Sequence, residues 1–551
     1  MSASTARRPP WPWLALPLLL GLICSLWFLP FTLDDPYVSF RYAAHLASGW
    51  GLVYNPGEHV EGYSNFLWTV LLAAVIRVGG DPLLCSKVLG MALHLVTIAT
   101  LWWCVRELVA RRVRPGRAAE MSATVAAATY AVSWYPAMWS IGSLETPLFT
   151  ALLVLGFAAV LIDRPAAASA LLLLAALTRP EGVLYFAVLL AVLLHRHLVR
   201  RRRWPSHQEV SRWLAPFALP YAAFIAWRLA YYGAPLPNTY YDKSGGGLRM
   251  TLDSGVGYLA SFLGSSVGTG RGGGLPPEIP SRVVLGVAAL LGVALLLLLR
   301  WAVRHGQAEL ALAGAWVALD FACVVEEGGD WMPAFRFAVP ACPFIALLGA
   351  AALGRLGPAV CRRWPALRAP LVAAVALGAM LISWMQVRTV QAQVPWLRPL
   401  VAVGGVEPEP TYHAAARWLR AHAAPGSLVA IEEAGLIPFY ADRLRYLDLF
   451  GLTDAHLARA PGQPPFGKED NAYVLGRRPE YVLLWITTDP GGAPLFAPHG
   501  SLLNSRGFLD RYRLLTTFPR GTGPPRAGGS RFLLFVRGGA SAAAQTTPFL
   551  Q

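Results

Sequence analysis

The chain has 551 residues, 55% of them hydrophobic and 14% charged, with a mean hydropathy of +0.45. A soluble domain with that balance would expose large apolar patches, so the composition excludes one and indicates a polytopic membrane protein. The net charge of +16 does not indicate nucleic acid. Its arginines gather between apolar segments, at Arg111-Arg112, Arg114 and Arg117, at Arg200 to Arg203 and at Arg362-Arg363, as in cytoplasmic loops.

In chain order, Arg7-Arg8 precede an apolar stretch that no small-residue cleavage site follows, which predicts an uncleaved first helix over 12–31 running outward. The next apolar run, 66–78, would reach only about 20 Å as a helix against a hydrocarbon core of about 30 Å. It is therefore predicted, with 38–47, to lie along the outer surface. Spans then follow at 83–109, 121–141, 147–162, 166–178, 183–199, 213–232, 281–300, 308–325, 335–354 and 370–388. That register gives about 11 transmembrane helices and leaves each large basic cluster inside. The predicted domains are a transmembrane catalytic domain, 1–389, with its first outer loop at 32–82, and an extracytoplasmic domain, 390–551. In the latter, a helical pattern at 412–422 alternates with short apolar runs at 428–431, 481–486 and 532–536, which predicts a small soluble α/β fold. The six cysteines lie in or beside apolar segments with no metal-ligand spacing, and no disulfide is predicted.

With this threading the unusual polar segments share one face. They are Asp34-Asp35, Glu61 to Asn65 with Tyr63, Glu145-Thr146-Pro147, Arg179-Pro180-Glu181, Asn238-Thr239-Tyr240-Tyr241-Asp242-Lys243, and Asp330-Trp331-Met332-Pro333 followed by Arg336. A carboxylate can deprotonate an acceptor hydroxyl. An arginine can hold a leaving phosphate as charge builds on it, and Asn, Tyr and Trp can hydrogen-bond and stack on a sugar. Each residue also has a plainer reading. Asp35 precedes Pro36, a favoured first helical residue, and suits an N-cap; Asp34 has no such explanation and is the first choice of base. Glu145 suits a helix start, Arg179 and Glu181 could pair only with each other, and Arg336 could snorkel to the lipid surface. A divalent cation between Asp34, Asp35 and a phosphate is left open, since two carboxylates do not make a metal site.

The runs Asp34-Asp35-Pro36-Tyr37-Val38-Ser39-Phe40-Arg41-Tyr42, Gly51-Leu52-Val53-Tyr54-Asn55-Pro56-Gly57-Glu58 and Glu61-Gly62-Tyr63-Ser64-Asn65-Phe66-Leu67-Trp68 resemble the first outer loop of GT-C membrane glycosyltransferases. Within that superfamily they are most similar to the group that includes the mycobacterial terminal arabinofuranosyltransferase. The likeness continues at Pro237 to Tyr241, at Gly329 to Pro333 with Arg336, and at Asp448-Leu449-Phe450-Gly451-Leu452-Thr453-Asp454. The resemblance implies a polyprenyl-phosphate sugar donor, surface-lying helices in the first loop, and an aspartate of that loop at the catalytic centre, which Asp34 and Asp35 match. It also implies a multi-pass protein of the bacterial inner membrane, with its site and C-terminal domain on the extracytoplasmic side. Pro36 and His45 depart mildly from the pattern.

The expected function is thus transfer of a sugar from a polyprenyl phosphate to a cell-envelope glycan or lipid acceptor. A lipid-linked sugar transporter or flippase would need charged or broken segments near the bilayer middle, whereas these motifs cluster at one rim. A glycan-binding scaffold would not need Asp34, Asp35, Glu61 and Asp330 together. Donor sugar, acceptor, anomeric outcome, metal dependence and oligomeric state are not set by the sequence.

Overall fold

The computed structural model describes residues 11–111, 117–244, 247–265, 302–330, 332–363, 410–463, 467–487, 497–519 and 530–538, with isolated residues of 293–300 and 377–388. The chain forms two compact units. One comprises Met1–Phe31, Ser86–Ala223 and Leu248–Val403; the other comprises Thr32–Cys85, Phe224–Gly247 and Gly404–Gln551. This grouping differs from a division at 389/390, because the first loop and the segment after residue 224 belong with the tail.

The first unit is helical. Among the described residues, four helices are long and apolar enough to cross a membrane: Pro82–Ala110, Gly182–Val199, Ala308–Glu326 and Arg336–Gly354. Trp134–Ile141 and Thr146–Leu161 would add a fifth span as a pair, but they meet at 119°. The uninterrupted span expected over 121–141 is broken earlier, at 132–133. Helix Arg117–Ala131 ends before Ser133, and Trp134 starts a new helix whose backbone N–H and the Ser133 hydroxyl both bond the Gln386 side chain. The second break follows Gly142, where Ser143 adopts a left-handed φ of 61°, a conformation a helix cannot continue through. Pro165–Thr178 is a shorter apolar helix, and His207–Tyr232 carries Pro216 and Pro220. The spans expected at 281–300 and 370–388 lie largely outside the described residues. The core of the unit is aromatic: Trp316 packs edge-on against Phe344 at 5.3 Å and Phe157 at 6.3 Å.

The second unit is built on a five-stranded sheet in the order β2-β1-β5-β7-β6, where β1 is Leu428–Ile431, β2 Arg445–Asp448, β5 Tyr481–Thr487, β6 Tyr512–Pro519 and β7 Ser530–Arg537, while β3, Gly462–Gln463, and β4, Gly467–Lys468, form a separate antiparallel pair. Strands β2, β1 and β5 run parallel, while β7 is antiparallel to both β5 and β6. The short apolar runs of the sequence are its central strands, since a strand covered on both faces needs no alternation. Ala430, Val482 and Leu484 are fully buried in its core. Helix Pro410–His422 covers one side, with Tyr412 against Phe532 at 4.9 Å. The first loop contributes two 12-residue helices, Pro36–Ala47 and Phe66–Arg77, packed on one another. Each is about 18 Å long, well short of a bilayer core.

Candidate active site

In the second unit it is Asp34, and not Asp35, that caps a helix. The Asp34 carboxylate accepts backbone N–H bonds from Gly435 at 2.9 Å and Leu436 at 2.6 Å. It thereby caps helix Leu436–Tyr440 from 401 residues earlier in the chain. The approach is close. A Cβ on Gly435 would stand 2.1 Å from the Asp34 carbonyl oxygen and 2.4 Å from its carboxylate, so only glycine fits there. Asp35 occupies the N-cap position of Pro36–Ala47 but makes no side-chain cap. Its φ of −53° and ψ of −39° are already helical, whereas a capping side chain needs an extended backbone to fold back onto the first turn. The expectation that Asp35 caps and Asp34 has no structural partner is thus corrected.

Arg41, in the second turn of helix Pro36–Ala47, is buried. Its guanidinium donates to the carbonyls of Tyr54 at 2.9 Å, Leu444 at 3.0 Å and Pro438, and lies 4.9 Å over both the Tyr54 and Tyr446 rings. Sequence reasoning gave this residue no role. Its position within the Asp34 to Tyr42 run was the available signal.

The other expected binding residues of this unit join its segments. Glu61 forms a two-pronged ion pair with Arg228, 3.0 Å at each contact, and its backbone carbonyl accepts from Asn238 N at 2.8 Å. The Tyr63 and Tyr232 hydroxyls are 3.0 Å apart. Asn65 accepts from Ser39 and Thr69. Asn238 donates to the carbonyls of Gly451 and Leu452 and accepts from Arg459, whose guanidinium lies 4.1 Å over the Tyr241 ring. Tyr240 is half exposed and Lys243 exposed. Two further carboxylates lie in runs that the sequence singled out but were given no role of their own. Asp242 is raised to about 6 by burial, with Lys468 and Lys243 opposing. Asp448, which accepts from Phe450 N and Thr453 N, is raised to about 7 by burial.

Burial likewise lifts the Glu61 carboxyl from 4.5 to about 7, against the opposing charge of Arg228. A folded value above the unfolded one means that this group's stabilisation is fully present below 4.5 and is lost as pH rises through about 7. Thermal unfolding of the wild type and Glu61→Gln should therefore converge or cross in favour of the variant as pH rises from about 5 to about 8. A difference between the two midpoints that stays flat across that range would show that Glu61 is ionised throughout.

The first unit gathers a different set. Arg179 ion-pairs with Glu145 at 3.6 Å and with Glu181, so it serves a second carboxylate besides its expected partner. Arg336 pairs with Asp330, Nε to Oδ2, at 2.9 Å. The two guanidiniums lie 4.8 and 4.7 Å over the same ring, that of Phe337, and Arg336 is 5.7 Å from the Trp139 ring. Arg336 is therefore buried among aromatics and does not snorkel. Ala334 and Phe335, just before it, both take left-handed φ values, 57° and 48°, and the Ala334 carbonyl accepts from Trp139 Nε1 at 3.1 Å. Two consecutive non-glycine residues in that region store strain of the kind concentrated at functional sites. Asp320, also unassigned from sequence, accepts from the Tyr185 hydroxyl at 2.7 Å within an apolar helix. Trp331 lies outside the described residues. Among the described residues, no group of three or more His, Cys, Asp or Glu is placed to hold a metal ion.

Comparison with known proteins agrees with this architecture. The crystal structure of ArnT from Cupriavidus metallidurans bound to undecaprenyl phosphate superposes with a TM-score of 0.54, at 15% identity, over 97% of this chain and 99% of that one. The oligosaccharyltransferase AglB from Archaeoglobus fulgidus, in complex with an inhibitory peptide and a dolichol-phosphate, gives 0.52 at 12% identity, over 93% and 80%. The chain has the GT-C fold. In sequence, it is 31% identical over 244 residues to the terminal β-(1→2)-arabinofuranosyltransferase of Mycobacterium tuberculosis, a match covering 42% of this chain and 37% of that protein. Residues 404–535 match a family described as a domain of unknown function (DUF8728).

Proposed function

We propose that this GT-C protein transfers a sugar from a polyprenyl-phosphate donor to a cell-envelope glycan or lipid acceptor at the outer face of the bacterial inner membrane. The observation that carries this reading is the divided first-loop aspartate pair. Asp34 accepts the Gly435 and Leu436 amides, and Asp35 beside it makes no side-chain cap on its own helix. Asp35 is then the general base that takes the acceptor hydroxyl proton, and Asp34 sets its position. Arg336, with Arg179 as second candidate, holds the donor phosphate through its planar fork. Tyr240, Tyr241, Lys243 and Trp331 are proposed for the sugar or its phosphate. The structures with undecaprenyl phosphate and dolichol-phosphate, and the arabinofuranosyltransferase match, support the donor class.

The finer architecture belongs to the same reading: about eleven spans, with residues 390–551 as an α/β domain outside. A cysteine at Ser244 should react with an impermeant thiol reagent in sealed cells, and one at Arg202 should not, because the arginine clusters mark the inner loops. Labelling at 202 would reverse the threading.

The broken pair Trp134–Ile141 and Thr146–Leu161 is the one feature that favours a transporter instead. The reaction itself separates the two. Purified protein given the lipid-linked sugar that copurifies with it, identified by mass spectrometry, should release polyprenyl phosphate in the presence of acceptor. Movement of the intact donor across a vesicle membrane without that release would establish the transporter.

A further inference from the structure

The two first-loop helices, Pro36–Ala47 and Phe66–Arg77, leave a groove of about 480 Å³ between their C-terminal ends. One wall is Leu46, Ala47, Ser48 and Gly49; the other is Val70, Ala73, Ala74 and Arg77. The second set follows i, i+3, i+4, i+7 spacing and so forms one helix face. Alanine and glycine keep the walls low, and Arg77 is the one charged residue of the lining. It is exposed, and no side-chain hydrogen bond or ion pair joins it to another described residue. The rim is apolar where a water-facing surface would be polar: Trp50 is 58% exposed, Val78 83% and Leu71 37%.

Two short helices, one followed by the exposed Trp50 and the other ending in the exposed Arg77 and Val78, match the headgroup layer of a membrane, where tryptophan sits at the interface and arginine meets phosphate. The C-terminal position of Arg77 also suits the negative end of its helix. That accounts for the charge but not for the apolar trough leading up to it. We propose that this groove binds an anionic phospholipid, with Arg77 on the phosphate and the glycerol and upper acyl chain against Val70, Ala73, Ala74 and Leu46. The site is independent of the proposed transfer reaction.

Native mass spectrometry of the full-length protein in detergent, with phosphatidylglycerol or phosphatidylcholine added, tests this. The wild type should retain phosphatidylglycerol in preference to phosphatidylcholine. Arg77→Glu should lower that occupancy about fivefold or more, on the scale of one basic residue at an anionic surface, and Arg77→Lys should keep it. Ala74→Trp, which fills the trough without touching the charge, should lower it too. Unchanged thermal unfolding of Arg77→Glu separates lost binding from lost fold. Equal retention of the two lipids, or indifference to Arg77→Glu, overturns the proposal. Displacement of the phospholipid by added polyprenyl phosphate also overturns it, since the groove would then be a donor site. Donor turnover in detergent without added phospholipid should be unaltered in Arg77→Glu, so failure of the lipid site and failure of the transferase reading are read separately.

Discussion

Asp35→Asn should lower sugar transfer by about 10²- to 10⁴-fold, the usual worth of a positioned general base, while leaving thermal stability unchanged. The amide keeps the shape of the carboxylate but cannot accept the acceptor proton. Asp34→Asn should behave differently. One carboxylate oxygen that now accepts a backbone N–H would become an NH₂ group facing another donor, leaving a buried amide unsatisfied at about 1–3 kcal/mol. The variant should therefore unfold earlier and lose activity through displacement of residue 35, with a pH–rate profile of unaltered shape. Gly435→Ala attacks the same contact from the other side, since its Cβ would collide with Asp34, and should reproduce the Asp34→Asn phenotype. A fully active Asp35→Asn would remove that residue from the chemistry and return the base to Asp34. Equal, near-total loss in both Asn variants, at wild-type stability, would mean that the carboxylates act together, through a shared proton or a cation.

Arg336→Lys should weaken donor binding by roughly tenfold or more, while the protein still folds. Lysine keeps a charge for Asp330 but loses the planar fork that meets phosphate in two places and stacks on Phe337. Arg336→Ala should be worse for a second reason: it leaves the Asp330 carboxylate buried without its counter-charge, a loss on the order of 3–5 kcal/mol. Donor KM, kcat and unfolding temperature distinguish these effects. A Lys variant with normal donor KM and kcat would make Arg336 a structural partner of Asp330 and pass the phosphate role to Arg179. In Arg179→Lys, a charge remains between Glu145 and Glu181, and only a fall in donor affinity would mark a phosphate contact.

By itself, the sequence determined what one-dimensional quantities can determine. Composition and charge placement specified a membrane protein, because hydrocarbon tolerates only a long apolar helix and arginine stays between such helices. Length together with the placement of Arg111 to Arg117 marked 66–78 as a surface helix, and the apolar runs at 428–431, 481–486 and 532–536 became strands of one sheet. The polar segments were also found from sequence, since each is out of place in so apolar a chain. What each of them does was decided by partners far away along the chain. Asp34 meets amides 401 residues on, Glu61 an arginine 167 residues on, and Asn238 carbonyls more than 200 residues on. No local pattern announces such a partner, because hydrogen-bond geometry depends on where the fold brings the backbone and not on spacing. The cap made by Asp34 in place of Asp35 shows the limit most clearly. Pro36 correctly signalled a helix start, but the helical φ and ψ of Asp35 and the arrival of Gly435 beside Asp34 exist only in the folded molecule. The break at 132–133, inside the span expected over 121–141, is of the same kind: it is met by the side chain of Gln386, more than 250 residues on.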